Sequence, residues 1–364
     1  MTIFLSLLII AISIYLLSII TDTFFIKSLD QLSKKLKLPS HVAGASLMAM
    51  GSSAPELSIA LLAVFREGGK HSDVGIGTIV GSAVFNILVI TGISAIVKPT
   101  KIDWKASIRD SLIYVVSILL LLLVFLDGKI TLIETSVFLI LYMVYIFILL
   151  QWSKFFPELA TDSVDLSAES PSHEENQTSS KNFLQKIPYF LEKLIGLFTG
   201  DPNKSYVRAF FVSIIIIAGL SWLLVDYAII FANAIHIPPV IVALTILAAG
   251  TSAPDLIASI IVAKQGRGEM AIANAIGSNI FDILIGLGLP WLLIIILHST
   301  GLMLGSSFIT VGTTGLWISI IILLASVVLL FFFLSTGRKL SKIEGWFLLF
   351  CYVGYVFWTW LGGA

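Results

Sequence analysis

GASLMAMGSSAPEL at residues 44–57 and ALTILAAGTSAPDL at residues 243–256 are two copies of one segment. A constant offset of 199 lays Gly51 on Gly250, Ser53 on Ser252, Pro55 on Pro254 and Glu56 on Asp255. Farther along, GSAVFNIL at 81–88 matches GSNIFDIL at 277–284, with Asn86 opposite Asp282. Self-similarity at so long a period marks a tandem duplication. The matched residues are polar ones in apolar surroundings, not the Leu and Ile that any two helices share.

Those surroundings set the class. Of 364 residues, 57% are hydrophobic and 12% charged, against roughly 25% charged in a soluble domain, which excludes a water-soluble globule. A bilayer core about 30 Å thick asks for about 20 apolar residues per helix. Ten segments approach this length: Thr2 to Ile20, His41 to Phe65, Val74 to Val97, Ser107 to Leu126, Thr131 to Leu150, Val207 to Leu224, Pro239 to Lys264, Met270 to Ile296, Phe308 to Leu334 and Ile343 to Trp360. The stretch from Gln151 to Tyr206 contains SVDLSAESPSHEENQTSS, which buries too little apolar surface to offset its ordering entropy, so its centre is expected to be disordered. The fold class predicted is an all-α polytopic membrane protein of ten transmembrane helices. Residues 1–150 form a first five-helix repeat, 151–206 a cytoplasmic loop, and 207–364 a second five-helix repeat. Five is odd, so the second half enters from the opposite side and the repeats have inverted topology. The opening segment has neither the basic start nor the small-residue cleavage site of a signal peptide, and is kept as a helix.

Lys plus Arg equal Asp plus Glu at 22 each, so no basic excess grips nucleic acid. Nineteen of the basic residues fall in alternate connections, leaving Arg66, Lys70 and Lys129 on the other side. Positive-inside bias then places the central loop in the cytoplasm and both termini outside, at the cell membrane. Trp104, Trp291, Trp346, Trp358 and Trp360 sit near segment ends, where indoles suit the interface, although apolar packing explains any one equally well. The one cysteine, Cys351, makes no intrachain disulfide and no CxxC metal site. The bilayer is an implied partner, and no protein partner is inferable.

A carboxylate at mid-membrane costs roughly 2.5–3.5 kcal/mol, so Glu56, Asp255 and Asp282 together cost on the order of 8–10. No Lys or Arg lies in the four motif blocks to pair with them, which leaves protons or bound cations, with cations favoured. Pro55 and Pro254 lack the N–H that would bond the carbonyls of Gly51 and Gly250, so a helix break is expected at each motif. Such a break is tolerated where it lines a cavity or coordinates an ion. Ser52 and Ser53 share a helix face with Glu56, and Thr251 and Ser252 do the same for Asp255. Ser82 with Asn86, and Ser278 with Asp282, are spaced i, i+4; the two serines are equally able to bond their own helix backbone or permit close packing. An oxygen-only set suits Ca²⁺, which takes 6–8 oxygens, and Na⁺. Zinc and copper are disfavoured, because no histidine and no cysteine lies in a motif.

Gly75, Gly77, Gly81 and Gly92 read as close helix approaches, and Asp110, Glu134 and Asp226 as groups near segment ends where water solvates them. Inverted repeats with Gly/Pro-interrupted segments point to a secondary transporter binding at mid-depth. An intramembrane hydrolase is disfavoured, because no His or Lys accompanies the serines as a base, and no cofactor is called for.

The motif blocks resemble the two alpha-repeats of the cation/calcium exchanger superfamily. The resemblance covers Val42 to Gly92 and Val240 to Leu293. VGIGTIVGSAVFNIL at 74–88 and GSNIFDILIGLGLPWLL at 277–293 are most similar to potassium-dependent sodium/calcium exchangers. It implies that Glu56 and Asp255 are the principal Ca²⁺ carboxylates and also serve Na⁺, with Ser52, Ser53, Thr251, Ser252 and backbone carbonyls completing the sites and Asn86 and Asp282 facing them. It also implies alternating access, with spans one and six as the sliding or rocking element. An acid at 282 is linked with K⁺ in the potassium-dependent branch, but some potassium-independent relatives carry it too. Three carboxylates match the +3 of one Ca²⁺ plus one K⁺, which makes co-transport electrostatically reasonable without requiring it. A proton/calcium antiporter and, from another class, a cation channel are the alternatives.

Overall fold

The computed structural model describes residues 2–35, 49–66, 71–101, 104–155, 183–264, 266, 268–301, 308–310, 314–337 and 339–363. It is almost wholly helical. The first half comprises α1 (Thr2–Ile20), which continues through a π turn at Thr21–Phe25 into α2 (Ile26–Lys35); α3 (Ala49–Ser52) and α4 (Ala54–Phe65); and α5 (Ser72–Phe85), continued by a π turn at Asn86–Ile90 into α6 (Thr91–Val97). Strand β1 (Thr100–Lys101), α7 (Trp104–Val124), strand β2 (Lys129–Ile130) and α8 (Leu132–Phe155) follow. After α9 (Phe183–Thr199), the second half comprises α10 (Tyr206–Ala234); α11 (Pro239–Val242), a π turn at Ala243–Leu247, α12 (Ala248–Thr251) and α13 (Ala253–Lys264); and α14 (Gly268–Phe281), a π turn at Asp282–Leu287 and α15 (Gly288–Ser299). Strand β3 (Ile309–Thr310), α16 (Thr314–Gly337), strand β4 (Lys339–Leu340) and α17 (Lys342–Trp358) complete it.

Among the described residues, 8 helices are long and apolar enough to cross a membrane, and each coincides with an expected span. The other two expected spans correspond to α3–α4, described only from Ala49 onward, and to α7. Several ends differ from expectation. The first apolar helix runs past Ile20 to Leu29, because Asp22 does not stop it: Ser18 Oγ donates to Asp22 Oδ2 at 3.3 Å. Likewise α10 passes Leu224 to end at Ala234, since Asp226 on it meets Arg66 and accepts from Trp222 Nε1 at 2.9 Å. The stretch read as a loop contains α9, whose last carbonyls, Leu197 and Phe198, are held by Arg208 at 3.2 and 2.9 Å. The polar centre expected to be disordered lies outside the described residues.

Helices α8 and α17 begin alike. Thr131 N donates to Glu134 Oε2 at 2.7 Å, and Ser341 N donates to Glu344 Oε2 at 2.6 Å, each a reciprocal cap that satisfies first-turn amides. Glu134 is thus a capping residue rather than a group held only by water. Asp110 corrects the expectation of a solvated acid: it is buried, held by Arg109 at 2.8 and 2.9 Å and by the Tyr145 hydroxyl at 3.3 Å. Trp291 is also not interfacial. It is fully buried, edge-on to Phe138 with ring centroids 5.6 Å apart.

The halves interlock in matched pairs. The first long helices, α1 and α10, pack on each other; α5 packs on α16 as α14 packs on α7; and α6 packs on α17 as α15 packs on α8. Strand β1 pairs antiparallel with β4, and β2 with β3, so α7 and α16 run between the two ribbons in opposite directions. The α5–α6 segment is the most enclosed, while α8, α16 and α17 expose Ile133, Met143, Phe332 and Phe350 to surroundings that a bilayer would cover. The motif glycines make the close approaches expected of them. A Cβ on Gly75 would lie 2.7 Å from Ala60 Cα, one on Gly77 3.0 Å from Val240, one on Gly92 2.9 Å from the Gly345 carbonyl, and one on Gly81 against the Leu244 carbonyl.

Candidate functional site

The duplicated SAP segments build the site by breaking their helices at the same place. The turn lies between α3 and α4 at Ser53 (φ −91°, ψ 9°), and between α12 and α13 at Ser252 (φ −85°, ψ 0°). Both fall in the bridge region, off the helical basin. The break therefore comes between the glycine and the proline of each motif, one residue beyond Ser52 and Thr251. Pro55 and Pro254 then sit in the first turn of the new helix, where a missing N–H costs nothing. The chain resumes with Leu57 N donating to Ser53 O at 3.0 Å and Leu256 N to Ser252 O at 3.1 Å.

The partner segments supply a second matched irregularity. A π turn begins at Asn86 in one half and at Asp282 in the other. Such single-turn insertions are frequent at functional sites. Helix α4 packs against the Asp282–Leu287 turn, and α13 packs against the Asn86–Ile90 turn, so each broken helix meets the π turn of the opposite half.

Side chains follow this crossing. The Glu56 carboxylate faces Thr251 and Ser252 of the second half, whereas the Asp282 carboxylate faces Ser53 of the first and lies beside Glu56 and Asp255. Glu56 is 3% exposed and Asp282 1%, while Asp255 is half-buried. Ser53, Ser82, Asn86, Thr251, Ser252 and Ser278 are all buried, and Ser52 is half-buried. Ser82 and Ser278 direct their hydroxyl protons to their own helices, at Ile79 O (3.2 Å) and Ala275 O (3.3 Å). This is the local bonding that their spacing allowed, and it leaves hydroxyl lone pairs available. Thr251 does the same with Leu247 O at 3.1 Å.

Four buried oxygens here have no hydrogen-bond partner: Glu56 Oε2, Asn86 Oδ1, Ser252 Oγ and Asp282 Oδ1. Each orphaned acceptor costs about 1–3 kcal/mol, more when charged. Carboxylate, amide and hydroxyl oxygens contributed by both halves are the donor set that a hard cation satisfies. Among the described residues, no three of His, Cys, Asp and Glu gather as a metal cluster; the donor set instead mixes carboxylates with amide and hydroxyl oxygens.

Asn279 was not picked out in the sequence. Its side chain is fully buried, accepts from Asn86 Nδ2 at 2.8 Å through Oδ1, and donates through Nδ2 to Ala83 O at 3.1 Å and to the Tyr114 hydroxyl at 2.9 Å. Its counterpart in the first copy is Ala83, so matching the two copies hides it. The usable signal is an amide directly beside Ser278 and three residues before Asp282 in a membrane span.

A family model described as sodium/calcium exchanger protein matches residues 5–151 and 205–361. Human sodium/potassium/calcium exchanger 5 is 30% identical, the alignment covering 93% of this chain and 79% of that protein. Human sodium/potassium/calcium exchanger 4 is 29% identical over 86% of this chain and 74% of its own length. Among solved structures, the sodium-calcium exchanger NCX_Mj superposes with a TM-score of 0.56 at 23% identity, over 97% of this chain and 98% of that one. An H⁺/Ca²⁺ exchanger, CAX, superposes with a TM-score of 0.65 at 16% identity, over 98% and 81%. At these identities the two structures speak for the fold.

Proposed function

The chain belongs to the sodium/calcium exchanger protein family, and from that premise we propose that it exchanges Na⁺ for Ca²⁺ across the plasma membrane, holding both ions between the two broken helices. It is a carrier and not an enzyme, as its exchanger relatives are. The observation that carries the reading is the set of four unpartnered buried oxygens, two from each half of the chain. In this reading Glu56 and Asp255 are the principal carboxylates. Ser52, Ser53, Thr251, Ser252 and the carbonyls of Gly51 and Gly250 complete the coordination, while Asn86, Asp282, Ser82 and Ser278 close it from the π-turn helices. K⁺ accompanies Ca²⁺ beside Asp282, in keeping with the sodium/potassium/calcium exchangers among its relatives.

Ten spans in two inverted repeats remain the topology of choice, and the ribbons support it. Paired strands lie at the same end of the molecule, so the chain between them crosses an even number of times. With every span counted, four crossings separate β2 from β3 and six separate β1 from β4. The basic connections then put the α8–α10 connection in the cytoplasm and both termini outside.

Alternating access requires a gate, and α1 with α10 supplies it. The two pack together, and Ile10 and Leu17 of α1 share one buried apolar cluster with Ile217 and Leu224 of α10. Ile14 of α1 fills the space a Cβ on Gly250 would take, and Ile26, just beyond, lies 3.0 Å from a Cβ built on Gly51. The first span, α1 with α2, thus rests on both helix breaks, so its sliding together with α10 would cover one end of the site and uncover the other. Half-buried Asp255 opposite enclosed Glu56 is the asymmetry one access state would have.

The test is Ca²⁺ uptake into proteoliposomes loaded with Na⁺, with and without K⁺, compared with uptake driven by a pH gradient alone. Uptake that follows the Na⁺ gradient is expected. Uptake driven only by the pH gradient would move the chain to proton/calcium antiport, and large uncoupled currents would make it a channel.

A further inference from the structure

Tyr114 stands on α7, outside the four matched motif blocks, yet it is fully buried and its hydroxyl accepts from Asn279 Nδ2 at 2.9 Å. The other N–H of that amide goes to the Ala83 carbonyl at 3.1 Å. A carbonyl only accepts, so the polarity of the Asn279 amide is set: nitrogen towards Ala83 and Tyr114, oxygen away from them. That oxygen takes the Asn86 Nδ2 proton at 2.8 Å, and Ser278 Oγ lies 3.4 Å from the same nitrogen. With its nitrogen so held, Asn86 turns Oδ1 the other way, where it is buried without a protein partner. A reversed Asn86 amide would present N–H groups to a cation and repel it.

We propose that Tyr114 is a positioning residue, which by accepting the second Asn279 N–H holds that amide in the orientation the Ala83 carbonyl selects, and so keeps Asn86 offering oxygen rather than nitrogen to the transported cation. The role rests on the exchanger reading above. Without the Tyr114 hydroxyl, one Asn279 N–H is left unpartnered in a buried site. The amide then gains by rotating towards another acceptor, and the hold on Asn86 loosens.

Tyr114→Phe keeps the ring and its packing and removes only the hydroxyl. Binding is titrated on the purified full chain with Na⁺ alone and with Ca²⁺ alone, which does not require the variant to transport. The expected result is a loss of affinity of about threefold to tenfold for at least one of the two ions. The same substitution is then made on an Asn86→Asp background. A carboxylate presents oxygen whichever way it turns, so there the expected loss is under about twofold. Equal losses in both backgrounds would mean that Tyr114 acts by packing, and unchanged affinity for both ions in the single variant would mean that it does nothing for the site; either overturns the role while leaving the exchanger reading intact. A wild-type chain that binds neither Na⁺ nor Ca²⁺ would overturn both.

Discussion

Adding one methyl group at Gly81 tests how tightly the repeats must fit for the site to exist. A Cβ there would lie 2.7 Å from Ala248 Cβ and would also press on the Leu244 carbonyl. Ordinary carbon contacts are about 3.5–4.0 Å, so the segments must part by about 1 Å, and because one obstacle is backbone the shift cannot be absorbed by a rotamer. Ala248 opens α12, which leads directly to Thr251 and the break at Ser252, so the displacement is delivered to the oxygens facing Glu56. Overpacking of this kind costs about 1–3 kcal/mol, partly offset by the roughly 1 kcal/mol that Ala gains over Gly in a helix. A misplacement of about 1 Å in a positioned site costs on the order of a hundredfold in rate. Gly219, on α10, is the control: a Cβ there meets nothing within 4 Å, so Gly219→Ala should be neutral or stabilising by about 0.5–1 kcal/mol. The assay is thermal unfolding of the purified protein together with Na⁺-driven Ca²⁺ uptake. Gly81→Ala should unfold earlier than wild type and lose at least tenfold in uptake, while Gly219→Ala does neither. Equal behaviour of the two variants would refute the claim that contact between α5 and the second motif segment sets the site.

Three further outcomes follow from the same geometry. Glu56→Gln replaces an orphaned carboxylate oxygen with an amide; a unit charge about 4 Å from a divalent ion is worth on the order of 8 kcal/mol in a partly polar interior, partly offset by the cost of desolvating the carboxylate, so Ca²⁺ affinity by direct titration should fall by at least about a thousandfold, and a change under threefold would remove Glu56 from the site. Asp282→Asn lowers the site's charge from three acids to two; Ca²⁺ uptake that no longer responds to external K⁺ is expected, whereas retained K⁺ dependence would place K⁺ elsewhere. Ser341→Ala breaks the reciprocal cap with Glu344 and should lower stability by about 1 kcal/mol with ion affinity unchanged, as read by denaturation and by Ca²⁺ titration.

Much of this site is legible in the sequence, because duplication writes each polar element twice. Gly, Ser, Pro and acid at a fixed offset identify both broken helices, and membrane insertion costs single out Glu56, Asp255 and Asp282, of which Asp255 is only half-buried. Helix ends are less legible, because the first apolar helix and α10 run on past an acid. Asp22 and Asp226 find partners four residues away in Ser18 and Trp222, and Asp226 also meets Arg66, a contact that no local pattern announces. Asp110 was misread for the same reason: its burial depends on Tyr145, 35 residues away. Asn279 and Tyr114 illustrate the remaining gap. They break the repeat rather than follow it, and their link spans 165 residues of sequence. The pairing of β1 with β4 and β2 with β3 is likewise invisible in two-residue strands.

The central claim is that the unpartnered oxygens of Glu56, Asn86, Ser252 and Asp282 face a cation that Na⁺ and Ca²⁺ take in turn. Crystals soaked with Sr²⁺ as an electron-dense stand-in for Ca²⁺, at stepwise higher Na⁺, test it directly. One strong peak is expected between the two broken helices, with carboxylate oxygens about 2.3–2.6 Å from it at Ca²⁺-like distances, fading as Na⁺ rises. A peak only at the protein surface, or one at this site that Na⁺ leaves untouched, would contradict it.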